Sequence, residues 1–335
     1  MTQGILTALT VLGGLALLAG ILLSIASRVF AVKIDPLEEK ILDILPGANC
    51  GGCGFPGCSG YAKALAAGGA ELNKCSPGGA EVAEKIGEIL GKEVEVGEKM
   101  VARVLCQGSS DNCAPRLQYR GIQSCAAAFL MSDSKKKCIY ACEGFGDCVE
   151  VCPFDAIYLG EKGLPVIRED KCTACGLCVE ACPKNVIKLI PISKHLVISC
   201  RSKDPGKEVR KNCKVGCIAC SICVRKCPYE AIEMKENLAI MDLDKCQVCG
   251  VCAAVCPTKA IIDFRTEIIK AYIGEGCDSC GECAKVCPVK KCITGEPGKP
   301  YNINEELCIG CGLCLEACPL KVIKYRALRD EKSVA

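Results

Sequence analysis

What most constrains this chain is a spacing of cysteines. Cys172, Cys175, Cys178 and Cys182 stand at x2, x2 and x3 intervals, with Pro183 directly after the last. The run recurs at Cys246, Cys249, Cys252 and Cys256 before Pro257, and at Cys308, Cys311, Cys314 and Cys318 before Pro319. Alternating with these are Cys217, Cys220, Cys223 and Cys227 before Pro228, then Cys277, Cys280, Cys283 and Cys287 before Pro288. A looser version, Cys138, Cys142, Cys148 and Cys152 before Pro153, has x3 and x5 in its first two intervals. After the proline most runs continue with two residues and Ala/Val-Ile, as in PFDAI, PKNVI and PYEAI. Such self-similarity is architecture first, one supersecondary unit used repeatedly.

Cysteine at this density, 34 in 335 residues, has two broad explanations: a disulfide-stapled scaffold or a reduced, metal-loaded protein. Disulfide scaffolds are short and scatter their cysteines through loops, whereas these bunch in fours too tightly for many independent bridges. The rest of the composition narrows the chemistry further. Lys+Arg 42 against Asp+Glu 39 leaves a formal charge of only +3, which excludes a nucleic-acid reader built on bulk basic charge. With Trp 0 and aromatics at 4% there is no platform for stacking bases. His195 is the only histidine, so a zinc enzyme with several His ligands, a bis-His haem and a Rieske centre are all excluded. Thiol chemistry remains.

The x2-x2-x3-Pro run is the ligand pattern of bacterial ferredoxins, in which the fourth cysteine serves the other cluster of a pair. Applied here, Cys138, Cys142, Cys148 and Cys182 hold one [4Fe-4S] cluster, and Cys172, Cys175, Cys178 and Cys152 its neighbour. The second pair is Cys217, Cys220, Cys223 with Cys256, then Cys246, Cys249, Cys252 with Cys227. The third is Cys277, Cys280, Cys283 with Cys318, then Cys308, Cys311, Cys314 with Cys287. Zinc would use separated Cys-x2-Cys pairs, and three close cysteines plus a Cys-Pro suit one tetrahedral ion poorly.

Short apolar alternations broken by turn residues lie between paired runs, as in IYLGEKGLPVI (157–167) and IEMKENLAIMD (232–242). They read as β-hairpins, and short helices carry the GLCVEAC-like segments. The expected fold is α+β. It has an anchor over 1–30, a small Fe–S domain over 31–100, a linker with extra cysteines over 101–137, and three ferredoxin-like modules over 138–195, 196–265 and 266–335.

Ahead of the repeats, residues 5–26 read ILTALTVLGGLALLAGILLSIA, without a charge, long enough at 1.5 Å rise to span a bilayer core. No Lys or Arg precedes it, as a signal peptide would require, and Arg28, Lys33 and Lys40 follow it. The expectation is an uncleaved single-pass anchor with a cytoplasmic C-terminal side. IDPLEEKILDIL (34–45) then has Asp35 as N-cap, Pro36 in the first turn and Glu38 completing a capping box,. Leu45-Pro46-Gly47 stops that helix and opens Cys50, Cys53, Cys58 and Cys75, a further [4Fe-4S] ligand set with Gly51, Gly52, Gly54 and Gly57 among them. A segment of helical composition, EVAEKIGEIL (81–90), comes next.

Seven groups of four account for 28 of the 34 cysteines and leave Cys106, Cys113, Cys125, Cys200, Cys213 and Cys292. Buried free thiols are the simplest reading, and the preferred one for Cys292. Cys213-x3-Cys217 echoes Cys138-x3-Cys142, so Cys213 competes with Cys217. An eighth cluster from Cys106, Cys113, Cys125 and another thiol stays open. Many clusters with no open iron position imply single-electron transport; no base or nucleophile constellation stands near one, and no G-x-G-x-x-G follows a strand,.

Taken together, the apolar helix, LPGANCGGCGFPGCSGYAKAL (45–65) with Cys75, and the tandem modules resemble the B subunit of the Rnf ion-translocating oxidoreductase complex over essentially the whole chain. KCIYACEGFGDCVEVCPFDAI (137–157) and VRKNCKVGCIACSICVRKCP (209–228) are similar to its long form, with three ferredoxin modules where short forms have one. The resemblance implies a cytoplasmic-membrane protein that takes electrons from reduced ferredoxin. It implies partner subunits with flavins and an NAD site, and pumping of Na⁺ or H⁺, with no complete active site in this chain. Two other classes compete. One is a polyferredoxin serving a hydrogenase or heterodisulfide-type reductase. The other is a non-enzymatic redox module, since the first cysteine group also resembles one in corrinoid iron–sulfur proteins.

Overall fold

A computed structural model of the chain describes residues 2–29, 35–94, 97–131, 134–296 and 298–329. Helix α1 (Thr2–Val29) contains the apolar stretch, and Leu15, Leu18, Leu22 and Leu23 on it are exposed. Its side chains are described only at residue 9 and over 11–27, and among the described residues no helix is long and apolar enough to cross a membrane. Of Arg28, Lys33 and Lys40, on which the expected orientation rests, the Arg28 side chain and Lys33 lie outside the described residues.

A small helical unit comes next. Helix α2 (Pro36–Ile44) starts where Asp35 accepts the Leu37 N–H at 2.9 Å, the N-cap that the sequence signals. Helices α3 (Gly57–Ala66) and α4 (Gly79–Leu90) pack on it. Their shared core is Ile41, Leu45, Tyr61, Leu65 and Ile86. Helix α4 stops at Gly91 in the left-handed region, where the Lys92 N–H closes on the Gly87 carbonyl,.

Three modules of one design follow, each an outer antiparallel strand pair enclosing an inner hairpin and short helices. In the first, β1 (Met100–Val104) pairs with the later β4 (Ile187–Pro191), Val104 opposite Ile187. Between them lie α5 (Cys125–Leu130), α6 (Asp147–Glu150), the hairpin β2 (Ile157–Leu159) and β3 (Pro165–Ile167), and α7 (Leu177–Glu180). In the second, β5 (Leu196–Ile198) pairs with β8 (Ile261–Asp263) around α8 (Gly206–Asn212), α9 (Ile222–Lys226), the hairpin β6 (Ile232–Lys235) and β7 (Leu238–Met241), and α10 (Val251–Val255). The third pairs β9 (Glu267–Ile273) with β12 (Ile323–Arg329) around α11 (Glu282–Val286), β10 (Ile293–Thr294), β11 (Asn302–Ile303) and α12 (Leu313–Ala317). Both hairpins read from the sequence form, and Glu236 and Asn237 turn the second with φ of 47° and 62°, as a primed two-residue turn requires.

One boundary differs from the sequence reading. Met100–Val104 begins the first module, although spacing alone placed most of it in a linker over 101–137. Its alternation is short, and only the pairing with β4, some ninety residues on in the chain, reveals it as a strand. Cysteines share the buried core of each module with aliphatic side chains. The third buries Ala271, Ile303 and Ile323 among Cys283, Cys308 and Cys314, so its interior is lined largely by sulfur.

The modules abut. Leu105, Ile190 and Val197 pack with Phe264 at the seam between the first and second. There the buried Arg103 pairs with Glu169 and lies 4.1 Å over the Phe264 ring. Arg265, paired with Asp263, reaches across to the Ile309 carbonyl of the third module at 3.1 Å.

Candidate metal centres

A cysteine loop has to turn its backbone around a volume larger than a side chain, and the same bends recur to do so. The residue before the second cysteine of a run is left-handed: Ala174, Ala219, Val248, Ser279 and Gly310, with φ of 53–67°. So is the residue after that cysteine: Gly176, Ser221, Gly250, Gly281 and Gly312. Non-glycine residues there cost roughly 1 kcal/mol or more each. Five repetitions mean that the loop's purpose, wrapping its sulfurs inward, overrides that cost.

The N-terminal set is assembled by α2, α3 and the turn before α4. Cys50, Cys53, Cys58 and Cys75 line one cavity of about 310 Å³. Asn49 holds the loop by accepting the Cys58 N–H at 2.8 Å. Cys75, distant in sequence, is brought back by the buried Tyr61, whose hydroxyl donates to the Glu71 carbonyl and accepts the Lys74 N–H. In the second module Cys217, Cys220, Cys223 and Cys256 line a cavity of about 370 Å³, the crossed arrangement expected from spacing.

Sulfurs of the other runs also act on one another through space, within and between neighbouring sets. Burial first, and then the charges of Cys172, Cys175, Cys148 and Cys152, push the Cys178 thiol up to about 12. Cys252, also at about 12, is raised by burial and by Cys249 and Cys246, and Cys249 in turn is raised by burial and by Cys227. Cys283 is raised by burial and then by Cys280, Cys277 and Cys318. Cys314, at about 12, is raised by burial and by Cys311, Cys308 and Cys287. Bare thiols crowded in this way favour keeping their protons, and a cationic core that accepts thiolates removes the conflict.

The loose first run is where the structure departs from the sequence reading. The cavity of about 380 Å³ that holds Cys142, Cys148 and Cys182 is completed by Cys125, not by Cys138. Cys125 opens α5, whose N-terminal N–H groups are held by Asp147, directly before Cys148 in the chain. Cys138 faces a different cavity, in company with Cys106, Cys200 and Cys213. The x3 and x5 intervals, in place of the x2 and x2 of the other runs, accompany this exchange. Cys292 is buried, its sulfur directed at the Asn304 carbonyl.

These sets suit a four-iron core. Each of the 34 cysteines is a free thiol. Among the described residues no three His, Cys, Asp or Glu side chains converge enough to hold a single metal ion. A zinc site would need four sulfurs on one ion at about 2.3 Å, whereas these sulfurs are spread around the lining of a shared cavity. Backbone N–H groups also point at them: Ala102 at Cys172 (3.4 Å), Ala231 at Cys227 (3.3 Å) and Ala260 at Cys256 (3.2 Å). Such donors stabilise charged cluster sulfur and tune its potential.

The sets also stand next to one another. Gly52 lies so close to the first module that a Cβ on it would sit 2.3 Å from the Cys175 carbonyl oxygen. Cys175 accordingly is raised by burial and then by Cys50 and Cys152. At the other end Cys311 is raised by burial, by Cys287 and Cys308 of its own set, and by Cys249 of the second module.

Comparison with known proteins identifies the lineage. The B subunit of an ion-translocating oxidoreductase complex from Methanosarcina acetivorans is 44% identical over 78% of this chain and 99% of its own length. The chain belongs to the family of B subunits of these complexes. Other members are the B subunit of the Na(+)-translocating ferredoxin:NAD(+) oxidoreductase complex of Acetobacterium woodii, 44% identical over 74% of each chain, and that of the proton-translocating complex of Clostridium ljungdahlii, 43% identical over 72% of this chain and 84% of that one. Family models match locally as well: "Putative Fe-S cluster" over 45–77, "4Fe-4S dicluster domain" over 136–186 and 216–260, and "4Fe-4S binding domain" over 277–291 and 301–324. The chain thus carries multiple 4Fe-4S binding domains. A formate dehydrogenase–heterodisulfide reductase–formylmethanofuran dehydrogenase complex from Methanospirillum hungatei aligns over 55% of this chain and 75% of its own, at 24% identity and a TM-score of 0.27, too little to bear on fold or function.

Proposed function

We propose that this chain is the electron-input component of a ferredoxin:NAD oxidoreductase that pumps Na⁺ or H⁺, accepting electrons from reduced ferredoxin and relaying them to flavin- and NAD-binding membrane subunits. One observation carries the reading. Four-cysteine sets follow one another from the N-terminal domain to the last module, with Cys50 beside Cys175 and Cys249 beside Cys311. Each [4Fe-4S] cluster, when bound, takes up and gives back a single electron. The protein's part is to hold it by four thiolates, to aim N–H groups at its sulfur, and to keep neighbouring sets close. The Gly52 approach performs the last task for the N-terminal domain, and the Arg103–Phe264 and Arg265–Ile309 contacts perform it for the modules.

Helix α1 serves as a single-pass anchor in the cytoplasmic membrane, with the cysteine domains on the cytoplasmic side. Support comes from the uncharged stretch 5–26 and from the apolar side chains it leaves exposed. No nucleic acid takes part. Purified without oxygen, the chain is expected to be brown and to bleach when reduced ferredoxin is added. Cys175→Ala should lower iron by about four per chain and slow ferredoxin oxidation, and deletion of residues 1–30 should give a soluble, still brown protein. Colourless or zinc-filled material would overturn the reading.

A further inference from the structure

Two inserted segments make one further cavity. In the third module the outer strand β9 leads within four residues to Cys277, the first cysteine of its run. In the other two modules that place is taken by Cys106, two residues past β1, and by Cys200, two residues past β5. Each is then cut off from the rest of its run by an insertion. The insertions bind each other: the Ala114 N–H donates to the Asn212 carbonyl at 2.9 Å, and the Lys214 N–H donates to the Asn112 carbonyl at 2.9 Å. Cys113 and Cys213 face each other across this bridge. Between the insertions lies a cavity lined by Cys106, Cys138, Cys200 and Cys213, similar in size to those lined by three other four-cysteine sets.

We infer that Cys106, Cys138, Cys200 and Cys213 hold an eighth [4Fe-4S] cluster, shared between the first and second modules. The inference rests on the iron–sulfur reading above and goes beyond it in number, ligands and place. Cys106 is prepared as a ligand, its sulfur receiving the N–H of Gly108 at 3.3 Å and of Cys142 at 3.4 Å. Cys113 is the neighbour of a ligand, facing Cys213 across the bridge. The site also explains the exchange in the first run: Cys138 is taken from its own module for the shared site, and Cys125 replaces it beside Cys142, Cys148 and Cys182.

Position gives the site its function. The Cys142 N–H of the first module points at the Cys106 sulfur at 3.4 Å, and Gly216, which lines the cavity, directly precedes Cys217 of the second module's set. The cavity therefore stands between a cysteine set of the first module and one of the second. The step is electron transfer alone, one electron in and one out, with no bond made.

The test is iron and acid-labile sulfide per chain in the anaerobically purified, full-length protein, with low-temperature EPR after reduction. About 32 irons are expected, against about 28 for seven clusters. Cys200→Ser and Cys106→Ser should each lose about four irons, and Cys113→Ser and Cys292→Ser none. The remaining clusters of Cys200→Ser should divide into two groups with weakened spin coupling between them. A wild-type value near 28, or wild-type iron in the Cys106→Ser/Cys200→Ser double variant, would overturn the eighth cluster and leave the proposed function standing. Should a variant fail to accumulate, the wild-type count decides.

Discussion

The Asp147 carboxylate accepts the Cys125 N–H at 2.7 Å, tying two cysteines 23 residues apart in the chain, Cys125 and Cys148, to one cavity. It also accepts the Ala126 N–H and the Ser124 hydroxyl. Burial opposes the charge on Asp147, yet these donors outweigh it and hold the carboxyl below its ordinary range. A ligand with no place in any spacing rule is thereby fixed by a side chain next to a ligand that has one.

Asp147→Ala would leave those N–H groups without their acceptor. A loss of about 1–2 kcal/mol is expected, concentrated at α5. The corresponding iron should be released to a chelator ahead of the rest, while Asp147→Asn falls between. Iron-release kinetics followed in the visible band check this; release at the wild-type rate would mean that Cys125 is positioned by other contacts.

Gly52→Val puts side-chain atoms where the Cys175 carbonyl stands. Because that oxygen belongs to backbone, the N-terminal domain must move away. Iron content should stay at the wild-type level while the spin coupling between the N-terminal cluster and its neighbour falls and ferredoxin oxidation slows. An EPR spectrum identical to wild type would show that the contact can be lost without separating the two sets.

The left-handed residues offer a pair of opposite outcomes. Ser279→Gly removes strain at φ 64°, and Gly281→Ala introduces it at φ 73°, with its Cβ 2.7 Å from the Tyr301 hydroxyl. Denaturation of the iron-loaded protein should show the first more stable by up to about 1 kcal/mol and the second less stable by about 1–2 kcal/mol. The same sign for both would refute the backbone argument.

Removing iron should unfold the chain unevenly. Helices in the modules that carry cysteine runs have four or five residues, too short to persist alone, and their interiors are thiol-lined. The N-terminal unit has its own apolar core of Ile41, Tyr61, Leu65 and Ile86. Hydrogen exchange on the chelated chain is expected to show early loss of protection in the modules and retention in α2, α3 and α4. Uniform loss would mean that this core also depends on its metal.

At the seam, Arg103→Met keeps volume but removes the pair with Glu169 and the stacking on Phe264. Glu169 is 37% exposed, so its charge is not stranded, and about 1–3 kcal/mol of stability is at stake. The thermal midpoint should fall with iron content unchanged.

Spacing alone determined most of this protein. Cysteine intervals and the following prolines mark the loops that bend around sulfur, because such a loop is built from residues three and four apart and its bends are local. The hairpins and the Asp35 cap were legible for the same reason, since turns and helix ends are decided within a few residues. Tertiary structure decided the rest. Met100–Val104 became a strand only through Ile187–Pro191, and Cys125, Cys106, Cys200 and Cys213 found partners across insertions of different length. Those contacts depend on where two modules abut, and a distance between surfaces leaves no period in a sequence.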